Sequence, residues 1–331
     1  MIDLHLHLDG SLTVDDIWFL AKEQGISLPV TEKSALWPYV IAPENCKSLI
    51  QYLTCFDVPL RVLQSRSALR YATSSLLSRL SQQGLLYAEI RFAPQSHQAG
   101  GLSQEEALGA VLEGLRFGRD HLVSKLEVGL ILCMMRGHDN GQENLETLRL
   151  AERYLGAGVC GVDLAGPEAL YPTGRYQSLF AEVKGAGVPF TIHAGEAGGP
   201  DDVRAALSFG AKRIGHGVRS LQSPALMQEL ADRGTVLELC PTSNLQTKAV
   251  SGTFPLQDFL AYGINVTINT DNMLVSNTTL EGEFECLETG CGLQWADRKR
   301  LITNAVKGSF LTPVKQRQLL TRTMRRLETR A

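Results

Sequence analysis

The chain is 331 residues long, 44% hydrophobic and 20% charged, with a formal net charge of -3. That length excludes a small stapled scaffold, and the charge balance argues against a dominant nucleic-acid-binding surface. The seven cysteines, at 46, 55, 133, 160, 240, 286 and 291, form no C-x-x-C pair, so reduced thiols in a cytosolic protein are expected rather than a thiolate zinc site.

In chain order, the first expected strand is 2–8, IDLHLHL. His5 and His7 share one of its faces, because successive strand side chains alternate. Two imidazoles pointing into a core need partners, either a metal ion or hydrogen bonds. Thr13 and Asp16 then have capping-box spacing ahead of Val14, Ile17, Trp18 and Ala21. Residues 9–84 separate this strand from the next, far more than a short connection requires. Within that insert, Leu49, Tyr52, Leu53 and Phe56 have helical spacing. They fit either ordinary packing against the sheet or an apolar lid over a site.

Seven further strands are expected at 85–92, 128–134, 158–164, 188–193, 213–216, 235–239 and 264–269, mostly rich in Val, Ile, Leu or Tyr. Helical patterns lie between them. Ser103 and Glu106 cap one, with Leu108, Val111, Leu112 and Leu115 on its apolar face, and Pro200-Asp201-Asp202 opens another. Eight strands alternating with helices predict an α/β fold, a (β/α)8 TIM barrel with a helical insertion after strand 1 and extra C-terminal helices. An open doubly wound sheet competes, but no G-x-G-x-x-G follows the first strand. Without a repeat or linker, a single domain over 1–331 is expected. The N-terminus lacks a basic region with a long apolar run, and no stretch approaches the ~18 apolar residues of a spanning helix. No membrane association and a cytoplasmic location are therefore expected.

The seven histidines are His5, His7, His97, His121, His138, His193 and His216. Four of them fall near expected strand ends, on the face where a barrel carries its chemistry. His193 ends the fifth strand in TIHAGEAGGP, and Glu196 follows in a glycine-rich loop, as a helix cap or as a functional carboxylate. His216 ends the sixth strand between Gly215 and Gly217, and Asp271 ends the last. His5, His7, His193 and Asp271 can converge as three nitrogen ligands and one oxygen ligand, a set that suits Zn2+ with a position left for water. Glu196 and His216 remain as acid/base candidates beside it.

The segments DLHLHLDGSL, YAEIRFAP, GVDLAGPE, TIHAGEAG, RIGHG, LELCPTSN and NTDN, in this order, resemble the adenosine deaminase family of metal-dependent amidohydrolases. The resemblance covers nearly the whole chain and implies a barrel with one zinc. It implies His5, His7, His193 and Asp271 as metal ligands, with Asp271 also accepting a proton from the attacking water. It implies Glu196 as proton donor and His216 as the group that orients that water. By the same resemblance, Gly166 contacts the purine through its backbone, Asp9 contacts ribose, and His7 lies close to the nucleoside. Leu49, Leu53 and Phe56, with Tyr52, correspond to the apolar lid. One departure stands out: many members carry a second Asp after the metal-binding one, whereas this chain has Asn272. Its amide can donate to purine N7 as a protonated Asp would, or Asn272 is a simple turn residue.

The implied reaction is hydrolytic deamination of adenosine and 2′-deoxyadenosine in purine salvage, on a small-molecule nucleoside without nucleic acid. Aminodeoxyfutalosine or adenine are alternative substrates, the latter disfavoured because adenine-specific relatives tend to have Glu-Gly where this chain has Asp9-Gly10. A non-catalytic purine-binding barrel is the alternative of another class. The full set of His5, His7, His193, Glu196, His216 and Asp271 argues against it.

Overall fold

The computed structural model describes residues 1–120, 122–123 and 125–328; His121, Ser124 and 329–331 lie outside them. Eight short strands carry the fold: β1 (Ile2–His7), β2 (Tyr87–Phe92), β3 (Glu127–Met135), β4 (Val159–Ala165), β5 (His193–Ala194), β6 (Arg213–His216), β7 (Val236–Leu239) and β8 (Asn265–Ile268). Their residues are almost all buried, as expected where helices cover a parallel sheet. β1 to β4 form one parallel ladder and β5 to β8 another.

Two seams join the ladders into a barrel. At one, Val162 N–H donates to Pro189 O (2.9 Å) and Thr191 N–H to Val162 O (3.1 Å). At the other, His7 N–H donates to Asp271 O (2.7 Å) and Asp271 N–H to His5 O (2.8 Å). The fifth strand differs from expectation. Regular pairing is confined to His193–Ala194, not 188–193, because Pro189 has no N–H to give and only Phe190 bridges to Val162.

Local sequence sets the helices. Thr13 Oγ1 accepts Asp16 N–H (3.0 Å) while the Asp16 carboxylate accepts Thr13 N–H (2.8 Å), opening Val14–Gln24. Ser103 and Glu106 open Gln104–Arg119 the same way, and Leu108, Val111, Leu112 and Leu115 are buried beneath it. The insert between β1 and β2 contains Val14–Gln24, Leu49–Leu53, Asp57–Val62 and Arg66–Gln82. Leu280–Cys291, Trp295–Gly308 and Pro313–Glu328 form the C-terminal helices. No helix among the described residues is long and apolar enough to cross a membrane.

Glu283, on Leu280–Cys291, accepts the N–H of Thr242 at 2.9 Å and so anchors the short helix Pro241–Gln246. Burial pushes its carboxyl up from 4.5 to about 7, against the hydrogen bonds from Thr242 and Thr278. The folded protein therefore holds this proton at pH values where the unfolded chain has lost it. Stability from this group is full below about pH 4.5 and falls as pH rises towards 7, by up to ~1.4 kcal/mol per pH unit. Glu283→Gln should flatten that part of the stability profile in urea titrations between pH 5 and 7.

Candidate active site

The two histidines of β1 point into the barrel, and the seam with Asp271 brings the carboxylate to them. His5 Nε2 and His7 Nε2 lie 3.4 and 3.5 Å from Asp271 Oδ1, and His7 Nε2 lies 3.3 Å from His193 Nε2. One ligand atom from each of His5, His7, His193 and Asp271 falls within 4.8 Å of all the others.

Carboxylates behind the rings turn them. Glu238 on β7 meets His5 Nδ1 at 3.0 Å, and Asp163 on β4 lies 2.8 Å from His193 Nδ1, with poorer hydrogen-bond alignment. Each carboxylate holds the ring proton on Nδ1 and leaves the Nε2 lone pair facing the cluster. His5 Nε2 is buried without a hydrogen-bond partner. Burial lowers the affinity of His7 and His193 for protons, giving the neutral form that binds metals. At His5, burial and Arg91 push the same way, but Asp271 and Glu238 overcome them and raise it. The centre thus favours a cation, and three inward nitrogens with one carboxylate fit a divalent metal.

Glu196 and His216 stand beside the cluster, with Glu196 Oε2 3.6 Å from His216 Nε2. Asn244 fixes the imidazole: its Oδ1 accepts Cys240 N–H (3.3 Å), so its amide nitrogen donates to His216 Nδ1 (2.9 Å). His216 Nε2 therefore carries the proton and presents it to the site, and burial together with His5 keeps the ring neutral. Burial, then the charges of Asp271 and Glu168, push the Glu196 carboxyl well above its ordinary range. His216 and Asp271 adopt left-handed φ angles of 61° and 58°, a strain of roughly 1–3 kcal/mol each. At Gly215, just before His216, a Cβ would lie 3.1 Å from the His5 ring, tighter than an ordinary contact.

His7, His193, Glu196, His216 and Asp271 form one wall of a cavity of about 210 Å³. Leu49, Tyr52, Leu53 and Phe56 cover it, along Leu49–Leu53 and a following 3-10 turn. Asp9, Gly166 and Asn272 also line it. Burial pushes the Asp9 carboxyl up to about 6. Asn272 lies against Gly10, where a Cβ would fall 1.9 Å from its Oδ1. No Lys or Arg lines the cavity among the described residues. The remaining described histidines stand apart from the cluster, His138 exposed beside Asp139 and His97 buried with its Nδ1 on Leu63 O.

Several residues escaped the sequence reading. Asp163, Glu238, Ser243 and Asn244 hold the histidines and Asp271, with Ser243 Oγ donating to Asp271 Oδ2 at 2.6 Å. Ser276, whose Oγ lies 2.7 Å from Tyr52 Oη, ties the segment covering the cavity to the stretch after β8. Glu168 accepts the N–H groups of Gly195, Glu196, Ala197 and Gly198 at 2.6, 3.0, 2.8 and 2.8 Å. The available signal was an acid inside each of the apolar runs GVDLAGPE and TVLELC.

A βα barrel that gathers three imidazoles, a carboxylate and a proton-holding glutamic acid at its C-terminal strand ends has the design of a metal-assisted hydrolase. The chain belongs to the adenosine deaminase family, whose model matches residues 1–325. It is 47% identical to the adenosine deaminase of Haemophilus ducreyi, covering 97% of this chain and 94% of that one. With the adenosine deaminase of Enterococcus faecalis it shares 40% identity, over 96% and 94% of the two chains. The crystal structure of adenine deaminase from Arthrobacter aurescens superposes with a TM-score of 0.88 at 26% identity, covering 99% and 98%. The fold is the TIM barrel of these amidohydrolases.

Glu168→Ala would strand four backbone donors at once. It should lower the unfolding free energy by at least ~3 kcal/mol in urea denaturation, more than the loss of one charged hydrogen bond.

Proposed function

We propose that this chain hydrolyses adenosine, and 2′-deoxyadenosine, to inosine or deoxyinosine and ammonia. The placement of Glu196 carries this most: a carboxyl kept protonated by burial and neighbouring charge, beside a neutral His216 and the His/Asp cluster. Membership of the family and a cavity covered by Leu49, Leu53 and Phe56 support the same substrate class. A cavity lined by no Lys or Arg among the described residues suits a nucleoside better than a phosphorylated one.

Zinc is the ion this three-nitrogen, one-oxygen set suits, held by His5, His7, His193 and Asp271. Bound there, it would make a water nucleophilic near neutral pH. Asp271 accepts a proton from the attacking water, while Ser243 occupies its other oxygen. His216, with its proton on Nε2, directs the water towards C6 and stabilises developing charge. Glu196 donates its proton to purine N1, which makes C6 electrophilic. The water oxygen adds to C6, and the proton taken up by Asp271 passes to the amino group. Ammonia leaves as the C6 hydroxyl gives its proton back to Glu196 and becomes the carbonyl. Gly166 holds the purine by its backbone and Asn272 donates to N7. Asp9 binds the ribose, His7 borders the nucleoside, and Leu49, Leu53 and Phe56 exclude water. We read the chain as one catalytic domain acting in purine salvage. Seven free cysteines fit a cytoplasmic setting.

Glu196→Gln should still bind zinc and nucleoside but release ammonia at least ~100-fold more slowly, the low end for removing a general acid. Near-normal turnover would refute the donor role. In the wild type, kcat/KM should fall as pH rises through the elevated Glu196 pKa, because the protonated form is the active one. His5→Ala and Asp271→Ala should each lose bound metal by elemental analysis, and full zinc occupancy in both would refute the ligand set. Parallel assays of adenosine, deoxyadenosine, adenine and aminodeoxyfutalosine test the substrate; turnover confined to adenine would overturn the nucleoside reading.

A further inference from the structure

The barrel interior holds a guanidinium that touches both carboxylates behind the cluster. Arg91, on β2, is fully buried. Its Nη1 donates to Asp163 Oδ2 at 2.7 Å, and its Nη2 donates to Glu238 Oε2 and, at 2.9 Å, to Leu4 O. These are the same two carboxylate oxygens that meet His193 Nδ1 and His5 Nδ1.

We infer that Arg91 is a positioning residue for the metal ligands, a single planar clamp that sets His5 and His193 through Glu238 and Asp163. This rests on the metal reading above. The carboxylates are otherwise saturated: Leu164 N–H donates to Asp163 Oδ1, and Thr191 Oγ1 and Arg213 Nε donate to Glu238 Oε1. Their remaining freedom lies at the two oxygens that Arg91 grips. Arg91 is also the only Arg or Lys paired with Asp163 among the described residues. A guanidinium spans two acceptors and a carbonyl in fixed geometry, whereas an ammonium is a point charge and cannot. The clamp therefore couples the orientation of a ring on β1 to that of a ring on β5.

The test measures metal rather than turnover. Apo protein is titrated with zinc against a chromophoric chelator for the wild type, Arg91→Lys and Glu89→Gln. Glu89 is an equally buried partner of Arg213, bonded to Tyr87 Oη and Phe310 N–H. Arg91→Lys should bind zinc ~10–100-fold more weakly, the usual effect of losing support behind a ligand. Its Co2+-loaded form should show an altered visible spectrum. Glu89→Gln should lower Tm while keeping wild-type zinc affinity. If Arg91→Lys does not fold, Glu238→Gln tests the clamp from the carboxylate side and should show the same weakening. Wild-type affinity in the clamp variant that folds, or equal losses in it and Glu89→Gln, would overturn the inference. A wild-type chain that binds no zinc would instead overturn the metal reading, and the clamp with it.

Discussion

Two backbone hydrogen bonds across one seam hold the rest in place. His7 N–H reaches Asp271 O and Asp271 N–H returns to His5 O. They close the barrel and set three of the four candidate ligands side by side in the same act. They also explain how Asp271 tolerates a left-handed φ of 58°, since both of its backbone polar groups are satisfied by β1. His193 and His216 follow from an ordinary parallel register, in which His193 pairs with Gly215 and Ala194 with His216.

Below this rim the barrel departs from the usual layers of branched apolar side chains. Glu89, Arg91, Asp163, Arg213 and Glu238 fill the interior instead, all buried. Buried ion pairs are weak sources of net stability, because desolvation offsets most of the attraction. Their effect here is orientation: every carboxylate oxygen of Asp163 and Glu238 has a partner, and two of those partners are imidazoles. Glu168 does similar work outside the barrel, where four N–H groups converge on one carboxylate and fix the loop that carries Glu196.

What sequence alone reveals follows from how local each cause is. Capping at Thr13 and Ser103 depends on residues three apart, and both boxes form as spaced. Strand alternation places His5 and His7 on one inward face, and polar residues at the ends of apolar runs mark His193, His216 and Asp271. Pro189 shows the limit, because apolar character suggests a strand while a missing N–H prevents its ladder. Asp163, Glu238, Ser243 and Asn244 were hidden for a different reason. Their roles depend on which side chain lies across the barrel, and one-dimensional spacing does not carry that. The segment over the cavity lies between these cases: the spacing of Leu49 and Phe56 is helical, but the helix gives way to a 3-10 turn after Leu53.

The two ladders divide the candidate ligands evenly. β1 to β4 contribute His5 and His7, while the half built from β5 to β8 contributes His193 and, just past its last strand, Asp271. Each seam between the halves rests on an isolated bridge rather than a continuous ladder. An ion held by all four would thus be a rivet between two half-barrels. Its binding energy would add directly to the free energy that keeps them together. Neither half could assemble the centre alone, so the capacity for chemistry would arise only once the eighth strand had been made and seated against the first.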